Sequence, residues 1–180
     1  SIEKYYRQGK SVIIVSGHYG NWEWAAIGLP SHSSHKAIGI YLPLTNEFFN
    51  RKLVEKRGQS GLKLVPIRLV LKHLVANANE LYSYAFISDQ SPSNPSKAYW
   101  IKFLNRDTPM FTGAEKYAKH FDLPVLYAVI QKISRGRYTI EYKLVTENPR
   151  EEKEMHITEA CSQINEAMIR RQPEYWLWTH

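Results

Sequence analysis

His18 and Glu23 stand five residues apart in VIIVSGHYGNWEWAAIG, residues 12–28. A histidine and a carboxylate can work as one unit. The carboxylate accepts a hydrogen bond from one imidazole nitrogen and fixes the tautomer, and the other nitrogen becomes a base. On a continuous helix, positions i and i+5 diverge by roughly 140° and do not share a face. The pair converges only if His18 lies in a turn and Glu23 in the first turn of the helix that follows. The same residues also fit a turn histidine beside a solvated glutamate, and spacing alone leaves both arrangements open.

Other reactive patterns are weaker. His32 and His35 form an H-x-x-H in a serine-rich loop, but no cysteine or carboxylate cluster adjoins them, so they read as loop histidines and no metal is expected. GQSG (58–61) is one residue short of the nucleophile-elbow pattern and reads as a flexible turn. No glycine-rich phosphate loop of the Walker or dinucleotide type occurs, and no cofactor is expected.

Charge is unevenly placed. The formal net charge is +7, with Arg51, Lys52, Lys56 and Arg57 clustered and Lys63, Arg68 and Lys72 soon after, whereas the stretch 147–166 is acidic. Such a balance favours an anionic partner: nucleic acid, phospholipid headgroups, a phosphorylated substrate or an acidic carrier protein. The aromatic content would suit single-stranded nucleic acid, but no recognised nucleic-acid motif is present, so none is expected as a partner. Cys161 is the only cysteine, which rules out an intramolecular disulfide. No run of about 18 apolar residues and no signal-peptide pattern is found.

The elements that must position these residues alternate. At 180 residues, 43% hydrophobic and 23% charged, the chain has the size and composition of one globular domain. SVIIVS (11–16), AIGIYL (37–42), LYSYAFIS (81–88), AYWIKFL (98–104), PVLYAVIQK (124–132) and RYTIEYKLV (137–145) read as strands, the last an antiparallel partner of the one before. Helices are expected at about 21–29 with Asn21 as cap, at 45–58 with Thr45 as cap, at 66–78, at 112–121 and at about 153–171. A Ser/Pro/Asn loop separates residue 90 from 98. This order predicts an α/β sandwich with a mostly parallel central sheet flanked by helices. Active sites in such folds lie at the carboxyl ends of strands, and both His18 and Asp89 follow predicted strands.

Five blocks, SGHYGNWE (16–23), PLTNEFFNRKLVEKRG (43–58), FISDQSP (86–92), FLNRDTPMFTGAEKYAKHFDLPVLYAVI (103–130) and PEYWLWTH (173–180), together resemble the lipid A biosynthesis (lauroyl/myristoyl) acyltransferases of the glycerolipid-acyltransferase-like superfamily. The resemblance implies a glycerol-3-phosphate acyltransferase-like fold, a catalytic pair His18 and Glu23, and functional roles for Arg57 and Asp89. Lys52 and Lys56 are expected to add to substrate binding. Asp89 is expected to orient Arg57 or a loop. The implied reaction moves a fatty acyl group from acyl carrier protein to a hydroxyl of a phosphorylated glucosamine lipid at the cytoplasmic face of the bacterial inner membrane. Backbone N–H groups of Gly17 to Gly20, or Arg57, are candidates for the oxyanion hole. Trp22, Trp24 and Trp100 are candidates for holding acyl chains, meeting the membrane interface or packing in the core. The chain then reads as one acyltransferase domain, 1–180, without the family's N-terminal membrane anchor and extreme C-terminus. The loop 91–97 lacks a glycine-rich form common in the family. Two other readings share the scaffold: an acyltransferase acting on a lysophospholipid or amino-acid lipid, and a non-catalytic lipid-binding protein of the membrane surface.

Overall fold

In the computed structural model, which describes residues 1–92, 94 and 98–179, the β-branched run after Ser11 becomes β1 (Val12–Ser16) in the middle of a six-stranded sheet. The sequence readings of the 91–97 loop and of His180 fall wholly or partly outside the described residues. The other strands of the sheet are β2 (Lys36–Tyr41), β3 (Lys63–Pro66), β4 (Tyr82–Ile87), β7 (Val125–Ser134) and β8 (Arg137–Thr146), in the order β3-β2-β4-β1-β7-β8. All neighbours pair in parallel except β7 and β8, which pair antiparallel as expected. A separate hairpin joins β5 (Tyr99–Phe103) and β6 (Arg106–Met110).

Side chains alternate across β1, and each face meets its own layer. Ile13 and Val15 join Tyr84 and Tyr127 beneath three helices: α4 (Val70–Ala76), α5 (Gly113–Phe121) and α6 (His156–Arg171). Val12 and Ile14 join Leu126 and Ala128 beneath α1 (Ile2–Arg7) and the end of α2 (Trp22–Gly28). The sheet is therefore covered on both faces, the condition under which parallel strands read as unbroken apolar runs. The expected α/β sandwich is what forms.

Three stretches differ from the sequence reading. Residues 66–78 do not form one helix: Pro66 ends the edge strand β3, a 3-10 turn covers Ile67–Leu69, and α4 holds only Val70–Ala76. A proline is tolerated there because an edge strand has one side without ladder bonds. The strand expected at 98–104 forms as β5, but it pairs in a hairpin apart from the central sheet, turned by Leu104 and Asn105 at φ 50° and 66°. The last helix starts at His156, where buried Glu115 accepts hydrogen bonds from the N–H and hydroxyl of Thr158 in its first turn.

The register levels the carboxyl ends of the strands. Ser16 stands opposite Ile87, Gly39 opposite Ala85, and Tyr41 opposite Pro66. The segments leaving β1, β2, β3 and β4 thus emerge along one edge of the sheet.

Candidate active site

At that edge the chain leaves β1 through Gly17, which passes so close to α6 that a Cβ there would lie 2.6 Å from Asn165 Oδ1. His18 follows, and Gly20 then takes a left-handed conformation (φ 60°) that turns the chain into α2. Asn21 caps that helix as expected, accepting from the Trp24 N–H at 3.2 Å. His18 therefore sits in a turn and Glu23 in the first turn of a helix.

Their partners differ from the pairing suggested by spacing. Nδ1 of His18 lies 2.6 Å from Oδ1 of Asp89, and the His18 backbone N–H donates to Oδ2 of the same carboxylate at 2.7 Å. Asp89 comes from the end of β4, the parallel neighbour of β1, so the register delivers it to His18. Glu23 instead points toward α3 (Glu47–Gly58), where it receives a forked guanidinium from Arg57, with Nε 2.9 Å from Oε2 and Nη2 on Oε1. Asp89 orients His18 rather than Arg57. Trp22 links the two pairs: its ring meets the His18 ring edge-on, centroids 4.7 Å apart, and the Arg57 guanidinium lies 5.4 Å from its centroid. His18 and Arg57 both meet this one tryptophan, each with its carboxylate partner, Asp89 and Glu23.

Electrostatics favours an ionised Asp89. Its side chain is 3% exposed, and burial by itself works to raise its carboxyl. The hydrogen bonds from His18 and Trp176, with the attraction of His18, outweigh burial and hold the group below its ordinary range. An ionised carboxylate only accepts, so Nδ1 is the donor of this pair, and in a neutral ring so held the lone pair falls on Nε2.

Sequence reasoning missed Trp176 as a member of the site. Its indole N–H donates to Asp89 Oδ2 at 2.8 Å. The tail is pinned by two backbone bonds, from Leu177 N–H to the His18 carbonyl (3.1 Å) and from Gly20 N–H to the Tyr175 carbonyl (2.8 Å). The only sequence signal was PEYWLWTH, whose residue types carry no spacing rule that ties them to residue 18. The second of these bonds commits the Gly20 N–H, as Asp89 Oδ2 commits that of His18, and both were backbone candidates for an oxyanion hole.

The remaining expected residues lie around this group. Lys52 and Lys56 are exposed on α3, where Lys52 pairs with Glu55 at 2.9 Å. His32 and His35 bond the backbone carbonyls of Gly28 and Lys10 at 2.8 and 2.9 Å. Among the described residues no three His, Cys, Asp or Glu side chains converge as a metal site would require. Trp24, 58% exposed, lines an apolar groove of about 770 Å³ between α2 and the β7–β8 hairpin, with Ile133, Tyr138 and Ile140. A small apolar cavity under α2 shares Ala25, Leu29, Ile130, Ile140 and Tyr142 with that groove and reaches Ser16 and Ile87 at the sheet edge.

The parallel sheet and the site at its carboxyl edge have the arrangement of an α/β acyltransferase. The family model described as bacterial lipid A biosynthesis acyltransferase matches residues 1–180, and the chain belongs to this family. No curated protein matches it as a relative. Among the described residues no helix is long and apolar enough to cross a membrane.

Proposed function

We propose that the chain transfers a fatty acyl group from the thioester of acyl carrier protein to a hydroxyl of a phosphorylated glucosamine lipid, a lipid A precursor, with His18 as general base. The observation that carries this reading is the His18 imidazole, held through Nδ1 by buried Asp89 at the edge where the parallel strands end. As the acceptor oxygen attacks the thioester carbonyl carbon, Nε2 takes the hydroxyl proton. The new C–O bond forms and the carbonyl electrons move to oxygen. Collapse of that oxyanion breaks the C–S bond, and the leaving thiolate takes the proton back from the imidazolium. Asp89 stays ionised throughout and stabilises the charged ring. A base so placed is worth roughly 10²–10⁴ in rate, about 3–5 kcal/mol. The step balances without an acyl-enzyme or a cofactor.

Glu23 acts in this scheme through Arg57. The fork engages Nε and Nη2 and does not use Nη1, and the acceptor phosphate is the substrate group that would match that donor. Lys52 and Lys56 extend the positive field of the same helix toward acceptor phosphates and an acidic carrier. The apolar groove beside α2 supports a hydrocarbon substrate. The place of action that fits these substrates is the cytoplasmic face of the inner membrane.

The test is transfer of labelled acyl groups from acyl carrier protein to a phosphorylated glucosamine lipid and, separately, to a lysophospholipid. Transfer to the first acceptor, lowered at least a hundredfold in His18→Ala, is expected. Transfer to the lysophospholipid alone would overturn the acceptor, and normal transfer by His18→Ala would overturn the base.

A further inference from the structure

Helix α3 is 12 residues long and buries none of its side chains. Phe48 and Phe49 in its first turn are 54% and 60% exposed, and Leu42 and Leu44 in the loop before it are 77% and 45% exposed. Ile67 and Leu69, just past β3, are exposed as well. Single apolar side chains on a surface are ordinary, but these all follow the carboxyl ends of two neighbouring strands, with Tyr41 opposite Pro66. Cations interleave with them. Arg51 holds its guanidinium 6.0 Å from the Phe48 ring centroid, Lys52 follows, and Arg68 lies between Ile67 and Leu69. Counting Arg51, Lys52, Lys56 and Arg57 against Glu47 and Glu55, α3 is net basic.

We propose that this edge docks on an anionic phospholipid bilayer, with Leu42, Leu44, Phe48 and Phe49 entering the boundary between headgroups and acyl chains and with Arg51, Lys52 and Arg68 meeting lipid phosphates. Bulky apolar tips ringed by cations gain from both parts of such an interface. A second copy of the chain would instead set like charges against each other. The site shares this edge: β4 is beside β2 and β1 beside β4, so the segment bearing His18 emerges about 10 Å from the one bearing Leu42, at the usual strand spacing. The proposal rests on the acyl-transfer reading only for its purpose, which is to let a lipid acceptor reach His18 while its chains stay in the membrane.

Cys161, the single cysteine, is buried and its thiol is pushed up to about 12 by burial, so an added surface cysteine can be labelled selectively. An environment-sensitive dye is placed on Leu44→Cys, on Phe49→Cys and, at the opposite edge of the sheet, on Glu151→Cys. Phosphatidylglycerol vesicles are expected to blue-shift the dye at 44 and 49 and not at 151, and phosphatidylcholine vesicles to leave all three unchanged. Phe48→Ser/Phe49→Ser is expected to weaken vesicle binding at least tenfold while retaining transfer between detergent-dispersed substrates. Arg51→Gln and Arg68→Gln should each weaken binding about fivefold. No shift with anionic vesicles, an equal shift at 151, or an equal response to neutral vesicles would overturn the proposal. So would a shift produced by acyl carrier protein without lipid, or by raising protein concentration alone. His18→Ala separates the two readings, because it should bind vesicles normally whether or not it transfers acyl groups.

Discussion

The indole N–H of Trp176 donates to Asp89 Oδ2 at 2.8 Å, the same oxygen that accepts the His18 backbone N–H. A residue near the end of the chain thereby fixes the carboxylate that fixes the histidine near its start. Trp176 is a positioning residue: it touches Asp89 and packs on Phe103 and Trp178, with ring centroids 6.0 and 4.7 Å away. Trp176→Phe keeps most of that packing and removes the donor. It is expected to lower kcat about fivefold to thirtyfold with the acceptor KM unchanged, and to cost about 1–3 kcal/mol in denaturant unfolding. A purely structural role would lower the active fraction and leave the kcat of the folded fraction intact, which active-site titration measures.

Asp89→Asn keeps the shape and removes the charge. An amide can offer Nδ1 either a donor or an acceptor, so the tautomer that leaves the lone pair on Nε2 is no longer enforced. Turnover should fall by up to about 10⁴-fold, the loss that follows when a catalytic histidine's orienting carboxylate becomes an amide. The native carboxyl lies below its ordinary value of 3.8, so folding favours the ionised form. Its contribution is complete above that value and is lost as pH falls through the depressed one. Thermal melts of the two proteins should differ at and above about pH 5 and converge as pH falls below 3.8 and through the depressed value.

The strands were legible because parallel strands covered on both faces leave continuous apolar runs such as VIIV and YSYAFI. Short edge elements were not: KLVP, the four residues of β3, carries too few apolar positions to set a period. For α3, Thr45 and Asn46 are both good caps, and only the geometry selects Asn46, which accepts from the N–H groups of Phe48 and Phe49. In the site, the residue types were legible and the pairing was not. Asp89 meets His18 across 71 residues because β4 lies beside β1, a consequence of the strand order β3-β2-β4-β1. Nearness in sequence favoured Glu23, whose place on α2 carries it to Arg57 instead.

The Glu23–Arg57 fork should govern acceptor binding more than turnover. Arg57→Lys keeps one positive charge but cannot form the fork, and is expected to raise the acceptor KM about tenfold. Glu23→Gln should act in the same direction and more weakly. With side chains 38% and 19% exposed, the pair is partly screened, so a double-mutant cycle on stability should give a coupling of only about 0.5–1 kcal/mol. Both effects on KM should vanish with a dephosphorylated acceptor, and KM shifts that persist there would remove Arg57 from the phosphate role.

The turn that carries His18 also depends on a close approach behind it. An added Cβ at Gly17 would stand 2.6 Å from Asn165 Oδ1, and Asn165 is itself buried on α6, 3% exposed. One of them must move, and either movement reaches the site, since residue 17 adjoins His18 and Asn165 lines a cavity with Asp89 and Tyr127. Gly17→Ala is therefore expected to cost about 1–3 kcal/mol by overpacking and to lower transfer with it. Asn165→Ala opens the space a Cβ needs, so Gly17→Ala/Asn165→Ala should recover stability relative to Gly17→Ala alone, although Asn165→Ala by itself destabilises. Strict additivity of the two substitutions in urea unfolding would show that contact with Asn165 is not what requires glycine at this turn.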